Sequence, residues 1–206
     1  MNNVNQIINR SKTPGEFAKG YFSYLKKVLD SIDTHSINAL VAAFEEARTW
    51  GHTIFIAGNG GSATTATSMA NDLGFDVVKK TGSSKPFRVF ALNDNTSVLT
   101  AIANDVGYEN IFVNQLKIHY RQGDTFLAIS ASGNSPNVVI AAEWVKKQGG
   151  RVISFVGFTG GKLREISDVV VHVHSEAGEY GPVEDAHLVL NHILAHWFQN
   201  KLKQKG

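Results

Sequence analysis

Serines, glycines and asparagines crowd two short turns of this chain. Gly58-Asn59-Gly60-Gly61-Ser62 follows the apolar run at 53–57, and Ser130-Ala131-Ser132-Gly133-Asn134-Ser135-Pro136 follows a second run at 125–129. After the first turn, Ala66, Met69, Ala70 and Leu73 recur at helical spacing, and a helix is expected from Ser135 after the second. A strand, a glycine turn and a helix start gather backbone N–H groups at the positive end of a helix dipole, an arrangement that binds anions and phosphate above all. Three serine hydroxyls add donors to the second turn. Two such turns in one chain predict a phosphorylated ligand held between them. The second turn also has a plainer reading, a helix capped by Ser135. The first fits a dinucleotide pattern at Gly58, Gly60 and Ala63, but that pattern asks for an acidic residue about 20 positions later at the end of the next strand. Here the next strand ends near Asn93 and Asp94, so no nucleotide cofactor is expected.

For acid–base chemistry the candidates are Asp72, Asp94, Asp105, Glu184, His187 and His192. Asp72 follows the first turn by ten residues of helix, roughly 15 Å of axial rise. It therefore need not touch a ligand bound at its own helix start; it could face one bound by a neighbouring subunit, and the plainer reading is a solvated helix acid. His187 and His192 share the last helix with Glu184, and each is either a catalyst or a structural partner.

These groups need elements to hold them. Runs rich in β-branched and aromatic residues predict strands at 53–57, 88–92, 125–129, 152–156 and 169–173, separated by helical segments. That alternation means right-handed crossovers and a mainly parallel sheet, hence an α/β fold. Residues 1–14 read as a loose arm ending at Pro14. Two helices follow, one carrying Phe17 to Leu29 and one capped by Thr34 or Ser36 and stopped by Gly51. Residues 79–85 read as a loop, and 95–103, 109–120 and 135–148 as helices. Pro182 to Lys203 has acids in its first turn and lysines at its end, matching the helix dipole. Its apolar arc is wide enough to be buried on two sides, by the sheet and by a second subunit. No internal linker interrupts 1–206, so one domain is expected, with 1–51 as arm and helices and 52–206 as the core.

The composition excludes several classes. With 206 residues, 43% hydrophobic and 18% charged, the chain is that of a globular protein with a sizeable core. The net charge of +2 and the lack of a dense basic block beyond the lysine tail argue against direct nucleic-acid binding. No cysteine is present, which excludes disulfides and thiolate zinc sites. No apolar run approaches a membrane span, and the expected location is the cytoplasm.

Taken together, GNGGS at 58–62, TAIANDVGYENIF at 100–112, ISASGNS at 129–135, GGKL at 160–163 and EDAHLVLNH at 184–192 resemble the sugar isomerase (SIS) domain family, and within it the phosphoheptose isomerases. The resemblance runs from residue 17 onward. It implies a five-stranded, flavodoxin-like three-layer fold with an N-terminal helical extension, assembled as a homotetramer with active sites at subunit interfaces. It implies sugar-phosphate contacts at Asn59, Gly60, Gly61, Ser62, Asn104, Asp105, Ser130, Ser132, Ser135 and Glu184. The family's catalytic glutamate aligns with Asp72 and its catalytic histidine with His192. The implied reaction takes sedoheptulose 7-phosphate to D-glycero-D-manno-heptose 7-phosphate through an enediol. Zinc is optional, with Asp72, Glu184 and His192 as its ligands. Several positions depart from the family. Ser68 stands for a zinc-binding histidine, Asp72 for glutamate, Glu184 for glutamine, Ala131 for a phosphate-site threonine and Gly181 for an aspartate. The shorter Asp72 would retract the base by about one C–C bond, and a misplacement near 1 Å costs on the order of 100-fold in rate. The losses at Ser68 and Ala131 favour an alternative, a non-catalytic SIS protein that binds a sugar phosphate or a protein partner, as the DnaA-initiator-associating relative does. The acid at position 72 and His192 favour the isomerase.

Overall fold

The structure is a computed structural model and describes residues 1–203. Five parallel strands form one sheet: β1 (Thr53–Ala57), β2 (Arg88–Ala91), β3 (Thr125–Ser130), β4 (Arg151–Val156) and β5 (Val169–His172), in the order β2-β1-β3-β4-β5. The predicted strands lie where expected to within a residue. Period-two alternation splits the core between two faces. Ile54, Ile56, Leu127, Ile129, Ile153 and Phe155 point to one, where α3 (Thr34–Trp50), α4 (Gly61–Met69) and α10 (Tyr180–Lys203) pack. Phe55, Phe126, Ala128, Val152 and Val156 point to the other, covered by α6 (Thr96–Asp105), α7 (Val113–His119), α8 (Pro136–Lys147) and α9 (Gly161–Ile166). Two carboxylates tie the N-terminal ends of the strands. Asp124 accepts from the Thr53 amide at 2.6 Å, and Asp168 accepts from the Val152 amide at 2.8 Å and from Lys146.

The chain order reverses between β1 and β3, which places a crevice at their C-terminal ends, where open α/β sheets bind ligands. Both polar turns emerge there.

The N-terminal arm is a correction. Asn3–Arg10 is a helix, α1, capped by the Asn2 side chain, which accepts from the Asn5 amide at 3.0 Å. It is amphipathic but buries no residue completely, so its apolar signal is faint in the sequence. Its first amides are held by the buried carboxylate of Glu179, which accepts from Asn3 N at 2.6 Å and Val4 N at 3.3 Å and also receives the Tyr24 hydroxyl. The next helix, α2 (Pro14–Asp30), starts at Pro14 with Thr13 as its cap. Asp33, rather than Thr34 or Ser36, caps α3 by accepting from the His35 amide at 2.9 Å, and Gly51 ends it at φ 72°.

The helix after the first turn also differs from the simple expectation. α4 runs on through a π-helical stretch, Ala70–Asp76, into α5 (Val77–Thr81), so part of the expected 79–85 loop is helical. The Val77 amide reaches back five residues to the Asp72 carbonyl. Such wide turns recur at functional sites.

Candidate active site

The two turns face one another across a cavity of about 120 Å³ lined by Asn59, Ser62, Ser130, Ser132, Ser135, Tyr180 and Glu184, among others. Gly60 is the N-cap of α4 at φ 56°, ψ −125°, and no side chain caps that helix. Ser62 N bonds Asn59 O and Ala63 N bonds Gly60 O, both at 3.0 Å, which winds the turn tightly and leaves the positive helix end toward the cavity. Gly58 has no room for a side chain, since a methyl there would overlap Ser62 and the Ile129 carbonyl.

In the second turn Ser130 Oγ lies 3.2 Å from Ser135 Oγ and 3.5 Å from Ser132 Oγ. Ser135 occupies the N-cap of α8 yet makes no capping bond; the Asn137 side chain serves the Val138 amide at 3.0 Å instead. The simple serine-cap reading therefore fails, and the three hydroxyls line the cavity instead. The turn is stitched from behind by the residues around GGKL. Leu163 N donates to Gly133 O at 3.0 Å, Lys162 N to Asn134 Oδ1 at 2.9 Å and Gly157 N to Ala131 O at 2.9 Å.

Four supporting residues escaped the sequence reading. Asn137, buried, exchanges two amide hydrogen bonds of 2.9 Å with Asn59, and Tyr108 donates to Asn59 Oδ1 at 3.0 Å. Asn93 donates to Gly58 O at 2.9 Å and so holds the first turn from β2. Tyr180 forms a wall, with its ring edge-on to Phe158 at 5.1 Å, and Phe158 itself sits in the left-handed region at φ 47°. Tyr108 lies inside the 100–112 motif, which is the one signal that pointed to any of them.

Glu184 lies beside the cradle, packed so closely on Gly61 that a methyl on that glycine would overlap its carboxyl. Burial, and then the charge of Asp185, push the Glu184 carboxyl up from its ordinary value. Asn104 and Asp105 lie at the exposed end of α6, where Asn104 donates to Asp105 at 2.8 Å, and neither lines the cavity. Asp94 is also outside it, with its carboxyl pushed up by burial.

Asp72 and His192 meet. His192 Nε2 is 3.8 Å from Asp72 Oδ2, and the same oxygen accepts from Asn191 Nδ2 at 2.6 Å, while Asn71 donates to Oδ1 at 2.9 Å. This pair sits two turns along α10 from Glu184, outside the cavity lining. The three residues expected to ligate zinc are therefore divided. Asp72 and His192 supply two donors, one short of the three protein ligands of a catalytic zinc site, and Ser68, one turn before Asp72, offers only a hydroxyl. Among the described residues no group of three His, Asp or Glu side chains is placed to hold a metal. The chain's own donors do not build that site.

His187 packs as a core residue, away from the cavity lining. It is fully buried, with its ring against Phe155 at 5.6 Å. Burial pushes its imidazole down to about 4, and neither ring nitrogen has a hydrogen-bond partner among the described residues. The unfolded chain, with an ordinary value of 6.5, takes up a proton that the native state refuses. The stabilising contribution is thus complete above about pH 6.5 and is lost as pH falls toward 4, on the order of 3 kcal/mol in all. Denaturant titrations at pH 7.5 and 4.5 should show His187→Leu gaining stability relative to the parent at the lower pH by an amount of that order.

Among the described residues no helix is long and apolar enough to cross a membrane. The SIS domain family model matches residues 20–157. The phosphoheptose isomerase of Aneurinibacillus thermoaerophilus is 39% identical over 145 residues, 70% of each chain. That of Citrifermentans bemidjiense is 32% identical over 171 residues, 83% of this chain and 86% of the relative. Among solved structures, the phosphoheptose isomerase of Neisseria gonorrhoeae superposes with a TM-score of 0.79 at 26% identity, covering 91% of this chain and all of the other. The match extends over both turns and the helix that carries Asp72, and the chain belongs to the SIS domain family, among its phosphoheptose isomerases.

Proposed function

We propose that this protein interconverts sedoheptulose 7-phosphate and D-glycero-D-manno-heptose 7-phosphate. The phosphate is held by Ser130, Ser132 and Ser135, the Asn59 amide and the two helix ends. The observation that carries the reading is the Asp72–His192 pair, 3.8 Å apart, with His192 on the same helix whose first turns wall the cradle and Asp72 on the π-helical continuation of α4. From Glu184 to His192 that helix advances eight residues, about 12 Å, a span of the order of an extended seven-carbon sugar phosphate. On this reading the phosphate occupies the cradle and C1 and C2 reach the pair.

Asp72, as carboxylate, removes a proton from C1 of the ketose while His192 delivers one to O2, giving the enediol. Asp72 then returns its proton to C2 as His192 takes the proton from O1, leaving the aldehyde at C1. No net proton is gained or lost. The reading also takes the protein as a cytoplasmic homotetramer. Phe22, Phe75, Ile193 and Trp197 are exposed apolar side chains for subunits to cover. In that assembly Asn104 and Asp105 close over a neighbour's cradle, and the active site is interfacial. The rival, a binding protein without turnover, is disfavoured by the meeting of Asp72 with His192.

Incubation with sedoheptulose 7-phosphate in deuterated water tests the reaction, since enolisation must exchange a carbon-bound proton. Absence of exchange and of aldose product would end the proposal. Zinc is optional in this reading, because two donors are too few to retain it. Dialysis against a chelator is expected to leave turnover within twofold, and a loss restored only by Zn²⁺ would show that a partner supplies the missing ligand.

A further inference from the structure

Asn191 is fully buried, and its two amide ends are treated differently. Its Nδ2 donates to Asp72 Oδ2 at 2.6 Å, a short bond to a carboxylate acceptor, whereas its Oδ1 finds no hydrogen-bond partner among the described residues. A buried orphan acceptor is costly, and an apolar residue of similar size at this position would avoid it. The fold therefore keeps the amide for its donor. The donor, in turn, serves a side chain on a widened helical turn. Asp72 lies in the π-helical stretch Ala70–Asp76, and among the described residues its second oxygen is held only by the exposed Asn71. His192 is the next residue after Asn191 on α10, so the clamp and the imidazole are fixed on one rigid element.

The geometry points to Asn191 as a positioning residue that locks the Asp72 carboxylate across the helix pair and aims it beside His192. This rests on the reading that Asp72 moves the carbon-bound proton. Through the clamp, a side chain on a widened helical turn gains a single orientation.

Asn191→Leu is the test. Turnover should fall on the order of 10- to 100-fold, the scale of a displacement near 1 Å, with KM within twofold and Tm unchanged or higher, because the orphan oxygen is gone. A crystal structure of the variant should show the Asp72 carboxylate rotated away from His192. The exchanged double variant, Asp72→Asn with Asn191→Asp, restores the cross-helix bond with the charge on the wrong helix. It should recover Tm relative to Asn191→Asp alone and remain without turnover. Parental kcat in Asn191→Leu, or a loss of turnover accompanied by a matching loss of Tm, would overturn the positioning role. Asp72→Asn separates the two readings: if it retains turnover, the assignment of the base fails. If it is inactive while Asn191→Leu is fully active, only the clamp fails.

Discussion

Asp72→Asn lowers kcat by on the order of 10²- to 10⁴-fold, the usual loss when a positioned general base is removed, and leaves KM within a few-fold. The substitution preserves shape, and the new amide oxygen can still accept from Asn191, so the contact between α4's π-helical continuation and α10 survives. What disappears is the only carboxylate beside His192 that the hydrogen bonds and ion pairs of the described residues reveal. The cradle, with Ser130, Ser132 and Ser135, is untouched and should bind sugar phosphate as before. Steady-state kinetics with the heptose phosphate, together with thermal unfolding, checks the prediction. A variant with a lowered Tm and raised KM would instead point to a structural acid.

Gly133→Ala is expected to be nearly as damaging by another route. Gly133 sits at φ 67°, and a methyl there would overlap the Gly160 carbonyl oxygen, a backbone atom that cannot swing aside. The left-handed conformation costs an L-residue about 1–2 kcal/mol and the overlap about 1–3 more. Relief of the clash would part the serine turn from the residues behind it, breaking the Leu163–Gly133 hydrogen bond of 3.0 Å. Because Ser132 and Ser135 flank this glycine, KM should rise with the loss of stability. Gly51→Ala is the control, with φ 72° but nothing within 4 Å of its new methyl. It should show about 1–2 kcal/mol of destabilisation and unchanged KM. Equal stability losses in the two variants would refute the clash argument.

How far the site was legible follows from the range of the forces involved. Strands at 53–57 and 125–129 announce themselves because burial on both faces of a parallel sheet demands continuous β-branched and aromatic residues. The glycine and serine turns are legible for a similar reason, since their chemistry lies within a few consecutive residues. The π-helical stretch is not, because no local propensity marks where a five-residue closure will replace a four-residue one. Asn93, Asn137 and Asn191 were equally silent. Each is an asparagine of ordinary appearance that acts on a group 35, 78 or 119 residues away. The approach of His192 to Asp72 was expected only from family likeness. In the chain itself nothing connects two side chains so far apart until α4 and α10 lie alongside each other. α1 leaves little trace in the sequence because its apolar side chains are few and only partly covered.

The clasp on that first helix has a consequence for how the protein can be trimmed. Glu179 reaches its N–H donors from outside the helix and stands one residue before Tyr180, a wall of the cavity. Cutting away the opening residues to obtain a tidier protein would strip two amides from a carboxylate sealed inside the protein, leaving it the Tyr24 hydroxyl and the amide of Glu176. The disturbance would be felt next door, at the ring that lines the cradle. What reads in the sequence as a loose arm is braced, through Glu179, against a wall of the cavity.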